Sequence, residues 1–356
     1  MRGRKYPDIV CSVGIVLSVL ALCCLTPAAA KAAESKEKIT LTLSHFFPAN
    51  HYVNTEEIPA WIKAIKEATD DRVEITVYAG GTMLNGPESY DGVVNGIVDI
   101  TAMVPGWAPG RFPAWEVFDL PGLPMNDAQS AAIITTRAVD QLKELQLTDT
   151  KFLWLHSTGP GGIYSKKPVR TPQDLKGMQV YATSVTADIA KALGASPVGG
   201  SRGEIYIMLQ KGTIDGDISG PPEVLLGYKE AEVIKYVTLQ AGQHGLPGFY
   251  NKTHFFVMNL DTWNSLPEDI QKAFNEVNEK FAATAGKIWD SHQQEGLDYA
   301  KKVGVEFIEL TPEQAEEFVK PVLFLADKWA EDMESKGIPG KKILDTVRKI
   351  CEDYYQ

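Results

Sequence analysis

The stretch from Thr171 to Leu225 limits most strongly what this chain can fold into. Gln179-Val180-Tyr181 reads as a short strand, entered from a helical turn over residues 172–176. Residues 185–193 read as a helix closed by Gly194, where a left-handed residue ends it. Residues 204–211 read as a second helix closed by Gly212, and residues 214–218 as a strand that Pro221 and Pro222 stop. This is one βαβ-type lobe. Ligands of an open α/β lobe bind at the carboxyl ends of its strands. Here those ends are Tyr181 with Ala182, and Asp217 to Gly220.

The same grammar occurs earlier. Residues 89–95 read as helix, Gly96 caps them, residues 97–100 read as strand, and Pro105-Gly106-Trp107 follows. Twice the chain writes helix, Gly, two residues, Asp, then a Pro/Gly-rich loop. Each unit alone is common in α/β proteins. Two of them with facing loops make a cleft, and clefts between domains favour small-molecule binding.

The residues also carry a resemblance. Pro168-Val169, Thr171-Pro172-Gln173-Asp174-Leu175-Lys176-Gly177, Leu193-Gly194-Ala195-Ser196-Pro197, Glu204-Ile205-Tyr206, Leu209-Gln210-Lys211-Gly212 and Asp215-Gly216 together resemble the DctP family. These are substrate-binding proteins of tripartite ATP-independent periplasmic (TRAP) transporters. The likeness extends to Glu232-Val233-Ile234-Lys235-Tyr236 and Trp263-Asn264-Ser265-Leu266-Pro267, and more loosely from Leu43-Ser44-His45 over nearly all of the remaining chain. It implies an α/β, two-lobe periplasmic binding protein fold with hinge crossovers. It also implies capture of a small organic anion, a carboxylate or sulfonate, for delivery to TRAP membrane permease subunits, with no cofactor.

Residues 1–33 read as a secretory signal peptide. Arg2, Arg4 and Lys5 precede an apolar run over residues 10–25, and Ala28-Ala29-Ala30 and Ala30-Lys31-Ala32 fit a small-x-small cleavage site. A retained anchor is the alternative, because the run approaches spanning length. Cys23 and Cys24 raise a lipidated form, against which Leu22 stands where a small residue should precede the Cys. A periplasmic address follows. Without residues 1–33 the chain loses four basic residues and one acidic one, so the formal net charge passes from −11 to −14. No basic stripe offers a nucleic-acid footprint. Cys351 is the one cysteine beyond the signal, so no intramolecular disulfide forms there.

The spacing predicts lobe I over residues 34–158 and 248–286, and lobe II over 159–247 and 287–315. Residues 316–356 are expected as C-terminal helices packed on the lobes. The crossovers fall at residues 157–162 and 242–251, the places for a hinge. From Pro267 to about Lys302, Ile270, Phe274, Val277, Phe281, Ala285 and Ile288 recur every three or four residues. That predicts one helix long enough to brace both lobes. A coiled-coil partner helix is the alternative reading of the same pattern.

Catalytic signatures are absent: no His-Glu-x-x-His, no Cys pair, no G-x-S-x-G and no P-loop. The six histidines are dispersed. No catalytic residue and no metal ligand set is expected, and a periplasmic enzyme is the least favoured reading. A sensor of the same fold, reporting to a membrane receptor, is the second. The expected ligand-binding residues are His45, Phe47, Glu88, Trp107, Tyr181, Arg202, Asp217, Ser219, Phe249 and Tyr250. The resemblance implies a ligand-binding Arg where this chain has Tyr181, a second near Pro160, and an Asn where it has Ser219. Those departures put a plain C4-dicarboxylate in doubt. They single out Arg202, where the family often has an aromatic residue, as the anion anchor; a guanidinium before a helix N-terminus can bind a carboxylate bidentately. A monomer is expected.

Overall fold

The computed structural model describes residues 37–108, 110–200, 202–239 and 246–356. The signal-peptide reading therefore lies outside the described residues, as does much of the second expected crossover. In chain order the strands are β1 (Ile39–Ser44), β2 (Val73–Tyr78), β3 (Ile100–Met103), β4 (Thr150–Ser157), β5 (Ile163–Ser165) and β6 (Gln179–Tyr181). They continue with β7 (Ser196–Val198), β8 (Gly216–Asp217), β9 (Tyr236–Thr238), β10 (Thr253–Asn259) and β11 (Glu306–Ile308).

These strands form two sheets, one ordered β2-β1-β3-β10-β4 and the other β11-β9-β5-β8-β6-β7. The chain leaves the first sheet between β4 and β5, returns to it at β10, and reaches the second again at β11. In the first sheet β1 runs parallel to β2 and β3, while β10 lies antiparallel between β3 and β4. Register across β10 and β4 sets Phe256 opposite Trp154. Their rings stack at 3.9 Å with planes 10° apart. The fold is α/β with two lobes.

The helices are α1 (Ile58–Ala68), α2 (Ser89–Val94), α3 (Ala128–Gln141), α4 (Val185–Ala192), α5 (Ile205–Lys211) and α6 (Val224–Gly227). After them come α7 (Leu260–Ser265), α8 (Glu268–Lys302), α9 (Pro312–Val319), α10 (Phe324–Ser335) and α11 (Gly340–Tyr355). The 35 residues of α8 begin with Glu268 and Asp269 and end with Lys301 and Lys302, charges that complement the helix dipole at both ends. Phe274 and Phe281 of α8 enter the core under the first sheet with Leu43, Trp61 and Trp154. Ala300, near its other end, enters the core under the second sheet with Tyr164, Leu209 and Val237. One helix thus packs on both lobes, as its periodicity predicts.

Several local expectations differ. β3 begins at Ile100 rather than at residue 97, and the Asp99 carboxylate just before it is held by β1 and α7. It accepts hydrogen bonds from Thr42 N and Thr42 Oγ1, each at 2.8 Å, and from Thr262 Oγ1 at 2.9 Å. The strand expected over 214–218 shortens to Gly216–Asp217. The helix that opens at Val224 stops at Gly227, and Lys229 takes φ 58 before a separate 3-10 turn. Ser196–Val198, passed over in the sequence, is an edge strand, where Pro197 is tolerated. The aromatic and proline-rich stretch after Trp107 winds into 3-10 turns and buries Phe112, Trp115 and Phe118.

Candidate ligand-binding site

Both sheets point the ends of their strands at one cavity of about 650 Å³, open mouth included. From the first lobe come Phe46 and Phe47 after β1, Gly106 and Trp107 after β3, Thr158 after β4, and Lys252 and His254 at the start of β10, and the bracing helix α8 adds Trp289. From the second come Tyr181, Thr183 and Ser184 after β6, Arg202 ahead of α5, Ser219 to Pro221 after β8, and Glu223, Val224 and Tyr228 around α6. The lobes approach closely where Gly106 meets Ser184. A Cβ on Gly106 would lie 3.2 Å from the Ser184 side chain, and Ser184 itself holds φ 53, a left-handed backbone costly for a residue other than glycine.

Aromatic rings make much of the wall. Phe46 meets Trp107 edge-on at 4.3 Å. His254 lies nearly parallel to Phe46, with centroids 5.9 Å apart and planes 26° apart, and to Trp289, also at 5.9 Å and 25° apart. Such a wall suits a flat apolar body better than a small chain with a charge at each end.

The charged groups are paired behind and between the rings. Arg202 donates from Nη1 to Asp217 Oδ2 at 2.6 Å and from Nη2 to Glu230 Oε1. Burial pushes the Glu230 carboxyl well above the usual range against the pull of Arg202, and Asp217 beside it pushes in the same direction as burial. Gly220 covers this cluster; a Cβ there would fall 2.6 Å from Arg202 Nη2. On the other lobe Lys252 Nζ donates to Asp119 Oδ2 at 3.0 Å, and burial raises the Asp119 carboxyl despite that partner. Between the lobes, His51 Nε2 lies 3.2 Å from Glu223 Oε2.

Beneath the rings runs a buried set of imidazoles. His156 Nδ1 lies 2.5 Å from Glu57 Oε1, and Trp289 Nε1 donates to Glu57 Oε2 at 2.7 Å. Burial drives the Glu57 carboxyl up to about 8 and holds the His156 and His254 imidazoles well below their ordinary value. Both Nδ1 of His254 and Nε2 of His156 are buried without a partner among the described residues.

The residues singled out in the sequence divide into three groups. Phe47, Trp107, Tyr181, Arg202 and Ser219 border the cavity. Asp217 stands one layer behind, holding Arg202. His45, Glu88, Phe249 and Tyr250 do not border it. His45 is buried with Nε2 3.1 Å from Asn54 Oδ1. Glu88 is exposed at the start of α2. Phe249 turns into the core and packs edge-on against Phe318 of α9 at 5.9 Å. Tyr250 donates from its hydroxyl to Gly220 O at 2.8 Å, so it props the turn behind the wall. Two expected roles also change. The Tyr181 hydroxyl donates to Gly200 O at 3.2 Å, leaving its ring for the cavity. The Arg202 guanidinium, expected as a free anion anchor, already faces two carboxylates. Lys252, His254, Tyr228, Glu223 and Trp289 border the cavity without having been singled out. The alternation of a strand start, which puts Lys252 and His254 on one face, was the readable signal for two of them.

The DctP family model, described as bacterial extracellular solute-binding protein, family 7, matches residues 43–332. The C4-dicarboxylate-binding periplasmic protein DctP of Rhodobacter capsulatus is 25% identical over 280 residues, 77% of this chain and 81% of that protein. A TRAP solute binding protein of Rhodoferax ferrireducens T118, solved with copurified benzoate, is similar at a TM-score of 0.83 and 27% identity, over 89% of this chain and 99% of that one. A marine metagenome TRAP solute binding protein specific for aromatic acid ligands, solved with 3-hydroxybenzoate, is similar at a TM-score of 0.84 and 26% identity, over 90% of this chain and all of that one (100%).

Proposed function

The chain belongs to bacterial extracellular solute-binding protein family 7, the DctP family, and on that premise we propose that it captures an aromatic carboxylate for the membrane permease of a TRAP transporter. The observation that carries the ligand class is the wall of Phe46, Phe47, Trp107, Tyr181, Tyr228 and Trp289 around a cavity bordered by both lobes. Two solved relatives hold benzoate and 3-hydroxybenzoate, compounds of that shape. No helix among the described residues is long and apolar enough to cross a membrane. On this reading the chain works as a monomer in the periplasm beside its permease.

Capture works by population shift. A ligand that touches residues of both lobes gains its full set of contacts when they close, and so stabilises the closed state. On this reading lobe I comprises residues 34–158 and 248–286, lobe II comprises 159–247 and 287–315, and residues 316–356 ride on them. A thermal-shift panel tests the ligand class. Benzoate, 3-hydroxybenzoate and mandelate are expected to raise the melting temperature, with about 2.7 kcal/mol of stabilisation at 100 times the dissociation constant. Succinate and glucuronate are expected to leave it nearly unchanged. A shift with the aliphatic acids alone would contradict the aromatic assignment.

A further inference from the structure

We infer that Lys252, rather than Arg202, receives the ligand carboxylate, an assignment that rests on the aromatic-acid reading above. Two cations border the cavity, and their surroundings differ. The guanidinium of Arg202 has its edge taken by Asp217 and Glu230. Its central carbon lies over two aromatic rings, 5.6 Å from the Tyr181 ring centroid and 5.2 Å from that of Tyr228, and its Nε is buried without a partner among the described residues. The Gly220 backbone closes over Nη2. A ligand carboxylate arriving there would be the third acidic group around one guanidinium and would have to share its donors with Asp217 and Glu230.

The Lys252 ammonium faces a single carboxylate, Asp119, which is its one hydrogen-bond partner among the described residues. An ammonium has three donors, so two remain for a ligand. The backbone that carries it is fixed. Lys252 N donates to Thr158 Oγ1 at 3.1 Å, and Thr158 N donates to Lys252 O at 2.9 Å. His254 stands two residues on, on the same side of the strand and roughly 6–7 Å along it. Its imidazole has a buried Nδ1 without a partner among the described residues. A carboxylate on Lys252 then places an attached ring against Phe46 and Trp289, whose planes flank the His254 imidazole nearly in parallel. Arg202 in turn is a positioning residue: it ties Asp217 of β8 to Glu230 after α6, and so shapes the second lobe's side of the cavity.

Calorimetry with benzoate and its neutral analogue benzamide separates a charge contact from a structural role. A hydrogen bond to a charged group is worth about ten- to a hundredfold in affinity, so the unaltered protein should prefer benzoate by that ratio. Lys252→Met should bring the ratio to within about threefold of one while benzamide binding persists. Lys252→Met leaves Asp119 buried and unpaired, so the double variant Lys252→Met/Asp119→Asn, which removes both charges, is measured alongside; the same collapse is expected. A folded single or double variant that keeps the benzoate preference, or loses affinity for both compounds equally, overturns the assignment. Failure of the unaltered protein to bind either compound is a separate result, which contradicts the aromatic-acid reading and removes this assignment with it.

Discussion

Glu57 and the imidazoles around it set a pH signature at the scale of single residues. Burial raises the Glu57 carboxyl to about 8, against the Trp289 hydrogen bond and the nearby His51 and His292. The folded protein therefore keeps a proton that the unfolded chain releases near its ordinary value. That contribution is complete below the unfolded value and is lost as pH rises toward about 8. The histidines act in the opposite sense. Burial lowers His45 to about 4 and holds His156 and His254 well below the usual range. Their contribution is complete above the unfolded value and is lost as pH falls toward the folded one. Three imidazoles outweigh one carboxyl on the acid side, so thermal melts across pH should show a maximum near neutrality. Glu57→Gln keeps an acceptor for Trp289 and a donor for His156. It should flatten the decline between about pH 6.5 and 8.5; an unchanged alkaline slope would show that Glu57 does not hold its proton in the folded state. None of this was readable from the sequence, because Glu57 and His156 stand 99 positions apart. Arg202, by contrast, was visible as the unusual residue of its loop. What the sequence concealed was its company: Asp217 and Glu230 lie on two other elements, and only the folded lobe brings them to one guanidinium.

At the scale of elements, α8 shows why long periodic segments are legible and short strands are not. Its apolar residues repeat over about ten turns, so errors at either end leave its existence untouched. β8 is two residues long, and no periodicity distinguishes two residues from a turn. The helix also carries features that its pattern does not explain. Gly286 and Gly296 sit inside it, where glycine lowers helix stability by about 1 kcal/mol relative to alanine. Packing accounts for both. A Cβ at Gly286 would lie 2.4 Å from Gln129 Cα at the start of α3, and one at Gly296 would lie 2.3 Å from Pro222 O beside the cavity. Each glycine lets α8 approach a different lobe. Gly286→Ala and Gly296→Ala should each destabilise by about 1–3 kcal/mol, read as lower midpoints in chemical denaturation. Gly296→Ala should in addition weaken ligand binding, because Pro222 and Glu223 must move. Stabilisation by both substitutions would mean that α8 has room the packing denies.

At the scale of the whole molecule, the two lobes and their cleft were readable because the same helix–Gly–strand grammar appears in each. The pairing of β10 between β3 and β4 was not, since it joins segments about 150 and 100 residues apart along the chain. That pairing is what brings Lys252 and His254 opposite the second lobe and completes the cavity. Capture between lobes is tested most directly by the crystal structure of the protein grown with benzoate. One molecule should lie in the cavity, its carboxylate toward Lys252 and its ring against Phe46 and Trp289 on one side and Tyr181 or Tyr228 on the other. Benzoate bound elsewhere, or in contact with residues of one lobe alone, would contradict capture by closure.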